Sequence, residues 1–549
     1  MKRRLRRFRV TSNTSSNSGL TIKVEFNDGH IEEAVVRQLS IQSVNAICSA
    51  KTQNYLDTAA RAKIIVNKEE LYDVGRVFVL KAQPTDNNQA EIILRTLNQN
   101  IPLEKLMKFL DNSSNNSPYE FELNHGKFTL LNFYNYNGSD DILEKTDLFH
   151  TMQKSWKKKH VYQFERFRKD SQGKRVRLDQ CRSNGNDEYL VFGSNDYLGL
   201  ANHPKVIQKA KQALDMYGFG STGSPLTTGQ SSEHIELQNL LTEIFHKESC
   251  LLFNSGYATN VGMLSAICKK NDLILYDSQC HASILDGLKM AAEGGAHCVP
   301  FRHNDMDDLD QKLKKERKNY SGCLIVTEGI FSMDGDIADM RNIVQLAKKH
   351  YARTYLDVAH DFGVIGDRGL GAAEFHGVLD EIDIIMGTFS KIAGGIGGFC
   401  LGEASTIEYI RYMSRAYMFS VALPPSTVAA VKESVKIFWQ EREHLLKLKE
   451  NIKYFVEGLI RLGVQINYDH KSSICPVIVG DEDKLNEMTK ILFDNGIYVT
   501  PIVFPAVKRN ECRFRFTVSA QHDKTDLDHA LLVLKLAMNH TSPALKLIS

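Results

Sequence analysis

Short, predominantly apolar runs recur through the middle of the chain: Cys250-Leu251-Leu252-Phe253, Leu273-Ile274-Leu275-Tyr276, Cys323-Leu324-Ile325-Val326 and residues 382–386, with helix-length amphipathic stretches between them. A strand that is apolar on both faces has no solvent side, so it belongs in a sheet covered above and below. The alternation predicts an α/β fold from about Tyr189 onward, its sheet mostly parallel and flanked by helices. Sheets of this kind place their working residues beyond the carboxyl ends of the strands.

Polar residues stand at those points. Gly387-Thr388-Phe389-Ser390-Lys391, followed by Ile392, Ala393 and the glycine-rich residues 394–398, sets a lysine just after an apolar run, where small residues let other groups approach the backbone. Desolvation there lowers the ammonium pKa and supplies the free amine that a Schiff-base nucleophile needs. Asp357 closes Ala352-Arg353-Thr354-Tyr355-Leu356 and opens Asp357-Val358-Ala359-His360. A carboxylate so placed can pair with a protonated pyridine nitrogen and keep the ring an electron sink. His281, in His281-Ala282-Ser283, can stack on such a ring, and Ser255-Gly256-Tyr257 precedes a helical run whose first amides can bind a phosphate. Singly, each has a plainer reading: an exposed loop lysine, a capping Asp-x-x-His, a Ser-Gly-Tyr turn. Their common order, all leading to Lys391, is the specific signal.

Composition narrows the class. A chain of 549 residues with 42% hydrophobic residues can bury large cores over two to four domains. The formal net charge of +2 leaves no strong global field, so nothing argues for a nucleic-acid or membrane protein as a whole. Ten cysteines lie scattered without a CxxC pair, so neither a metal site nor a disulfide framework is expected, and a reducing, cytoplasmic compartment is. The basic N-terminus runs straight into Thr11-Ser12-Asn13-Thr14-Ser15 without an apolar core, unlike a secretory signal, and no stretch reaches the ~18 apolar residues of a membrane span.

Ahead of the α/β region, residues 1–110 read as a small β-barrel. Leu20-Thr21-Ile22-Lys23-Val24-Glu25-Phe26 alternates, Asn27-Asp28-Gly29 is a turn, and further strand-like runs follow to about Leu97. Arg3 and Arg7 are spaced RxxxR, and Arg37-Gln38-Leu39-Ser40-Ile41-Gln42-Ser43 follows the second strand. This order resembles a PilZ domain, whose arginine and [DN]xSxxG motifs together hold cyclic di-GMP; guanidinium forks suit phosphates and guanine faces. Only Ser40 of the second motif is kept, with Gln38 and Ser43 in place of the expected Asp or Asn and Gly. The plainer reading of the basic tail is a solvated one. Residues 111–160 read as a connecting segment, and the charge-rich residues 154–159 and 166–174 as an exposed helix leading onward.

From about Tyr189 to His529 the chain resembles the α-oxoamine synthases, pyridoxal-phosphate enzymes of fold type I. The matching blocks include Asn195-Asp196-Tyr197-Leu198-Gly199-Leu200, Gly220-Ser221-Thr222-Gly223-Ser224, residues 253–262, His281-Ala282-Ser283, Phe301-Arg302-His303-Asn304-Asp305, residues 327–336, 357–366, 387–398 and 419–425, and Arg513-Phe514-Arg515-Phe516-Thr517 with the five residues after it. The resemblance implies a role at each matching position. Lys391 would carry the cofactor, Asp357 would face the pyridine nitrogen, His281 would stack over the ring, and His360 with Ser332 would bind the phenolic oxygen. Ser255, Gly256, Tyr257, Thr388 and Ser390 would surround the phosphate, together with Ser420 of a second subunit, since the family's site lies at a homodimer interface. Arg515 would bind the carboxylate of the amino acid.

The implied reaction joins glycine, alanine or serine to an acyl thioester, on coenzyme A or an acyl carrier protein, with loss of CO2. Two alternatives stand beside it: transamination in the style of quorum-signal synthases, and a cyclic di-GMP-responsive signalling protein with a gated enzyme domain. Val358, Asp361 and Pro225 depart from common family residues, the last two near the expected substrate position. Residues 161–430 are expected to form an N-terminal arm and the large cofactor-binding domain, and residues 431–549 a small C-terminal domain carrying Arg515.

Overall fold

The computed structural model describes residues 164–541, the backbone of seven strands ahead of them, and Leu143, Thr146, Phe149, His150 and Gln153. The chain divides into two compact units, Met1–Tyr162 and Gln163–Ser549. The first holds β1 (Phe8–Arg9), β2 (Thr21–Phe26), β3 (Ile31–Leu39), β4 (Ser43–Ser49), β5 (Ala59–Val66), β6 (Glu69–Thr85) and β7 (Gln89–Thr96). All pair antiparallel, in the order β3-β2-β5-β6-β7-β4, and β4 pairs back onto β3, so the ladder closes on itself. The positions Arg3, Arg7 and Ser40 lie outside the described residues, as do residues 154–159.

The second unit is built on the sheet β10-β16-β15-β14-β13-β11-β12. Its strands are β10 (Ser249–Phe253), β11 (Asp272–Asp277), β12 (His297–Phe301), β13 (Gly322–Glu328), β14 (Arg353–Asp357), β15 (Ile384–Thr388) and β16 (Gly398–Gly402). Strand side chains alternate between faces, and here both faces are buried in separate cores. Leu252, Leu273, Leu275, Ile325, Leu356, Ile385 and Phe399 enter one core. Leu251, Phe253, Ile274, Leu324, Val326, Tyr355, Met386 and Cys400 enter the other. The apolar runs mark these strands because neither face is left for polar residues. The mostly parallel sheet and its helical cover follow, and β16 alone runs antiparallel to both neighbours. That strand was hidden because its apolar run, Phe399-Cys400-Leu401, is short and follows glycines that read as a turn.

Helices cap themselves where strands end. Ser255 caps Gly256–Ile267 through its Oγ, which accepts from the Ala258 N–H, and His281 caps Ala282–Glu293. Past Val428 the helical stretch is two helices, Pro425–Gln440 and Glu443–Arg461. A smaller sheet, β17 (Ile474–Ile478), β20 (Arg513–Thr517) and β19 (Pro501–Ile502), follows, while β18 (Ile497–Tyr498) pairs with β9 (Glu188–Val191), itself paired with β8 (Arg175–Arg177). Residues 166–174 are bends and irregular backbone with an isolated bridge from Arg168 to Leu178, in place of the expected helix; the Asp170 carboxylate accepts from the Arg177 N–H.

Candidate active site

Parallel register brings the sequence candidates together. Glu328 at the end of β13 pairs in register with Asp357 at the end of β14, and Asp357 with Met386 of β15, so Thr388, Ser390 and Lys391 emerge beside both carboxylates. Ser255 follows the end of β10 and His281 the end of β11. Lys391, His281, Asp357, Ser255, Gly256, Tyr257, Thr388 and Ser390 thus all stand at one edge of the sheet, as strand-end chemistry requires.

Asp357 is buried, and both its oxygens are engaged: Oδ1 accepts from the Ala359 N–H at 2.8 Å and Oδ2 from Asn260 Nδ2 at 2.8 Å. Asn260 is the residue that sequence reasoning passed over. It is also buried, donates to Ser283 Oγ at 2.9 Å, and accepts the Tyr355 hydroxyl at 2.6 Å. Ser283 Oγ lies 2.7 Å from His281 Nδ1, which also accepts the Ser283 N–H. A continuous chain of hydrogen bonds therefore runs from Asp357 through Asn260 and Ser283 to His281. Since Nδ1 is an acceptor, the neutral His281 ring carries its proton on Nε2. Burial pulls the His281 pKa down, with Asp357 opposing and Lys391 assisting.

The Lys391 ammonium is disfavoured in the same way. Burial lowers its pKa below the ordinary lysine range, against the attraction of Asp357 and Glu328. Glu328 is buried, accepts the His281 N–H, and is pushed well above the usual carboxylate range by burial and then by Asp357. His360 is buried, with its pKa held well below normal by desolvation and then by Lys391 and Arg515. Its Nδ1 meets the Tyr197 hydroxyl at 2.6 Å.

Arg515, on β20, reaches the site from the smaller sheet. Its Nε donates to the Ser332 carbonyl at 2.6 Å and one terminal nitrogen to Asn195 Oδ1 at 3.1 Å. Asn195 and Tyr197 lay within a matching block without an assigned role; the structure joins them to Arg515 and His360. Ser332 contributes its carbonyl to this arrangement.

The residues present fit pyridoxal phosphate. The start of the Gly256–Ile267 helix lies against Thr388, where a Cβ on Gly256 would fall 2.9 Å from the Thr388 Cβ, and Thr388 Oγ1 lies 3.0 Å from Ser390 Oγ. A Cβ on Gly398 would fall 2.9 Å from the Gly256 Cα, so only glycine lets β16 lie against the helix start. An amide-rich helix start with hydroxyls beside it suits a phosphate, and Asp357 suits a pyridinium nitrogen. Ser420 lies between Phe419 and Val421, both exposed. Asp361 is wholly buried, Oδ2 accepting from the Ala372 N–H at 2.8 Å and wedged against Gly329 and Gly371. Val358 lies in the core.

Residues 187–534 match the family described as Aminotransferase class I and II. The chain is 40% identical over 354 residues to an 8-amino-7-oxononanoate synthase from Treponema denticola, covering 64% of this chain and 88% of that one. A serine palmitoyltransferase from Sphingobacterium spiritivorum is 38% identical over 375 residues, covering 68% and 91%. Among solved structures, a serine palmitoyltransferase from S. paucimobilis with a bound PLP-myriocin aldimine superposes with a TM-score of 0.69 at 30% identity, covering 73% of this chain and 99% of that one. With that coverage and the strand-end residues in place, the chain belongs to the class I and II aminotransferase family, in its α-oxoamine synthase branch.

Proposed function

We propose that the protein condenses glycine, alanine or serine with an acyl thioester, releasing CO2 and a thiol and leaving an α-aminoketone, with pyridoxal phosphate as cofactor. One observation carries the reading: a desolvated lysine on the loop after β15 lies beside a carboxylate anchored at the end of β14. The bound cofactor supplies an electron-poor ring that acidifies the α-carbon of an attached amino acid. Lys391 holds the cofactor, then takes the α-proton and later returns one, its lowered pKa leaving free amine available. Asp357 holds the ring nitrogen protonated, and Asn260 keeps that carboxylate aimed. His281, its tautomer set by Ser283, covers the ring. His360, neutral and oriented by Tyr197, binds the phenolic oxygen with Ser332. Ser255, Gly256, Tyr257, Thr388 and Ser390 hold the phosphate, and the planar fork of Arg515 receives the amino-acid carboxylate.

The working form is a homodimer, with Ser420 of the partner copy completing the phosphate site. Phe219, Ile396, Phe419 and Val421, large apolar side chains left exposed, support it. The nine described free cysteines support a cytoplasmic location, and no described helix is long and apolar enough to cross a membrane. For the N-terminal unit, cyclic di-GMP binding by Arg3, Arg7 and Ser40 rests on the closed ladder and on β1, where Phe8 pairs with Leu39 next to Ser40 in sequence. Calorimetry with cyclic di-GMP decides it, and no heat from the unmutated protein refutes it.

The first experiment is a visible spectrum of the purified protein titrated with glycine, L-alanine and L-serine. A saturable shift with one of them identifies the amino acid, and acyl-CoA-dependent CO2 release then establishes condensation. Amino-group transfer without CO2 establishes transamination instead. No band even with added pyridoxal phosphate refutes the enzyme reading.

A further inference from the structure

His303 lies outside the chain of residues described above, yet both its ring nitrogens are committed to carboxylates. Nδ1 meets Asp277 Oδ1 at 2.9 Å and Nε2 meets Asp336 Oδ2 at 3.0 Å. Asp277 ends β11, four residues before His281, and its other oxygen accepts the Asn304 N–H at 2.7 Å. Asp336 ends a tight loop closed by the Phe331 N–H to Asp336 O and the Gly335 N–H to Phe331 O, and flanked by the bridge of Ile330 with Ile337. The Phe331 ring packs edge-on against His303 with centroids 4.4 Å apart. On its other side the same loop meets β20: Arg515 donates to the Ser332 carbonyl, and Arg513 pairs with Asp334. The loop is thus held between His303 and the two arginines.

We propose that His303 is a positioning residue: by tying Asp336 to Asp277 it fixes the Ser332 carbonyl, and through it the direction in which the Arg515 fork points. The inference rests on the reading of Arg515 as the carboxylate site. Its electrostatics agree. Burial disfavours the imidazolium, but two carboxylate hydrogen bonds outweigh it and carry the pKa to about 10, so the strut is charged at neutral pH. The Ser332 carbonyl needs such support because a single loop oxygen holds Nε of Arg515 while Asn195 holds a terminal nitrogen. Let the loop drift and the fork rotates about its contacts with Asn195 and Tyr197.

The test pairs each amino acid with the amine that lacks its carboxylate: glycine with methylamine, L-alanine with ethylamine, L-serine with ethanolamine. Affinities are read from the saturable visible-absorbance change of the cofactor-loaded protein. His303→Gln should weaken the preferred amino acid by about tenfold to a hundredfold, the scale of a misplaced binding group. It should leave the amine within about twofold and raise KM more than it lowers kcat. Asp336→Asn, at a partly exposed position, should act in the same direction if the histidine variant does not fold. Hydrogen exchange on the cofactor-free protein should show faster exchange at the Phe331 and Gly335 amides. Equal weakening of acid and amine, or unchanged affinity for the amino acid in both folded variants, overturns the proposal. Arg515→Ala is the reference: if it too fails to discriminate acid from amine, the Arg515 reading falls, and this inference with it. If it discriminates and the His303 and Asp336 variants do not, only the inference falls.

Discussion

Asn260→Ala is the substitution whose cost the structure specifies best. The side chain is buried and makes three hydrogen bonds, to Asp357 Oδ2 at 2.8 Å, to Ser283 Oγ at 2.9 Å and from the Tyr355 hydroxyl at 2.6 Å. Loss of a bond to a charged acceptor costs about 1.5–3 kcal/mol, and the buried Tyr355 hydroxyl, left with only the weak acceptor Met263 Sδ at 3.9 Å, adds about 1–3 kcal/mol. Ser283 keeps His281 as a partner, so it adds little. The sum, roughly 2.5–6 kcal/mol, is a large share of the 5–15 kcal/mol that typically holds a fold. The assay is urea unfolding of wild type and variant at one fixed cofactor concentration, with the same slope m required so that the midpoint shift converts to free energy. Cofactor retention on dialysis should also fall, because Asp357 loses the donor that aims it. A destabilisation under about 1 kcal/mol would refute the claim that this amide is the anchor of the carboxylate, since it would mean both orphaned groups had found other partners.

Lys391→Ala should abolish the amino-acid-dependent absorbance change and lower turnover by at least about a hundredfold to ten-thousandfold, measured as CO2 release. Arg515→Lys replaces a fork that spans the Ser332 carbonyl and Asn195 with a point charge, so amino-acid affinity in the absorbance titration should fall roughly tenfold to a hundredfold. Gly398→Ala places a methyl 2.9 Å from the Gly256 Cα and N, so the helix start must move; overpacking should cost about 1–3 kcal/mol in urea unfolding and weaken cofactor retention. Asp361 has its pKa raised by burial, against the Ala372 N–H, from 3.8 to about 7. A raised acid contributes stability below its unfolded pKa and loses that contribution as pH climbs through the folded value, so the loss falls between about pH 4 and 7. Asp361→Asn should therefore flatten the stability profile across that window, by roughly 2–4 kcal/mol between its ends in urea unfolding.

Much of the fold could be read because burial on both faces forces a strand to be apolar throughout, and period-two alternation into two cores leaves no polar position to blur the signal. The strands at 250–253, 273–276, 323–326 and 384–386 stand out for that reason. β16 escaped because it is recognised by its neighbours. It fills the gap between β10 and β15, and glycine at 398 serves the approach of a helix start, which no local pattern encodes. The break between Gln440 and Glu443 escaped likewise: the stretch Glu441-Arg442 is a helix former by propensity, yet Glu441 is extended and ends the first helix.

The candidate site divides along the same line. Residues that meet the cofactor's own chemistry, Lys391, Asp357 and His281, were legible because few residue types can do those tasks. Those that aim them were not, because an asparagine inside an apolar helix or a histidine in a polar loop is ordinary until its partners are known. Asn260 joins Asp357 to His281 across strands separated in sequence by dozens of residues, and His303 joins β11 to the loop under Arg515. Asp361 shows what such coupling does to neighbours. Its Oδ2 occupies the space where a Cβ on Gly329 or Gly371 would lie, so the acid and the two glycines form one steric unit. Replacing Gly329 by alanine should be tolerated only in an Asp361→Ala background, because a Cβ there meets Asp361 Cγ as well as Oδ2, and only truncation to Cβ clears both. If Gly329→Ala is equally destabilising in the wild-type and Asp361→Ala backgrounds, as measured by a double-mutant cycle in urea, the steric coupling is refuted and the glycine is required for its backbone alone.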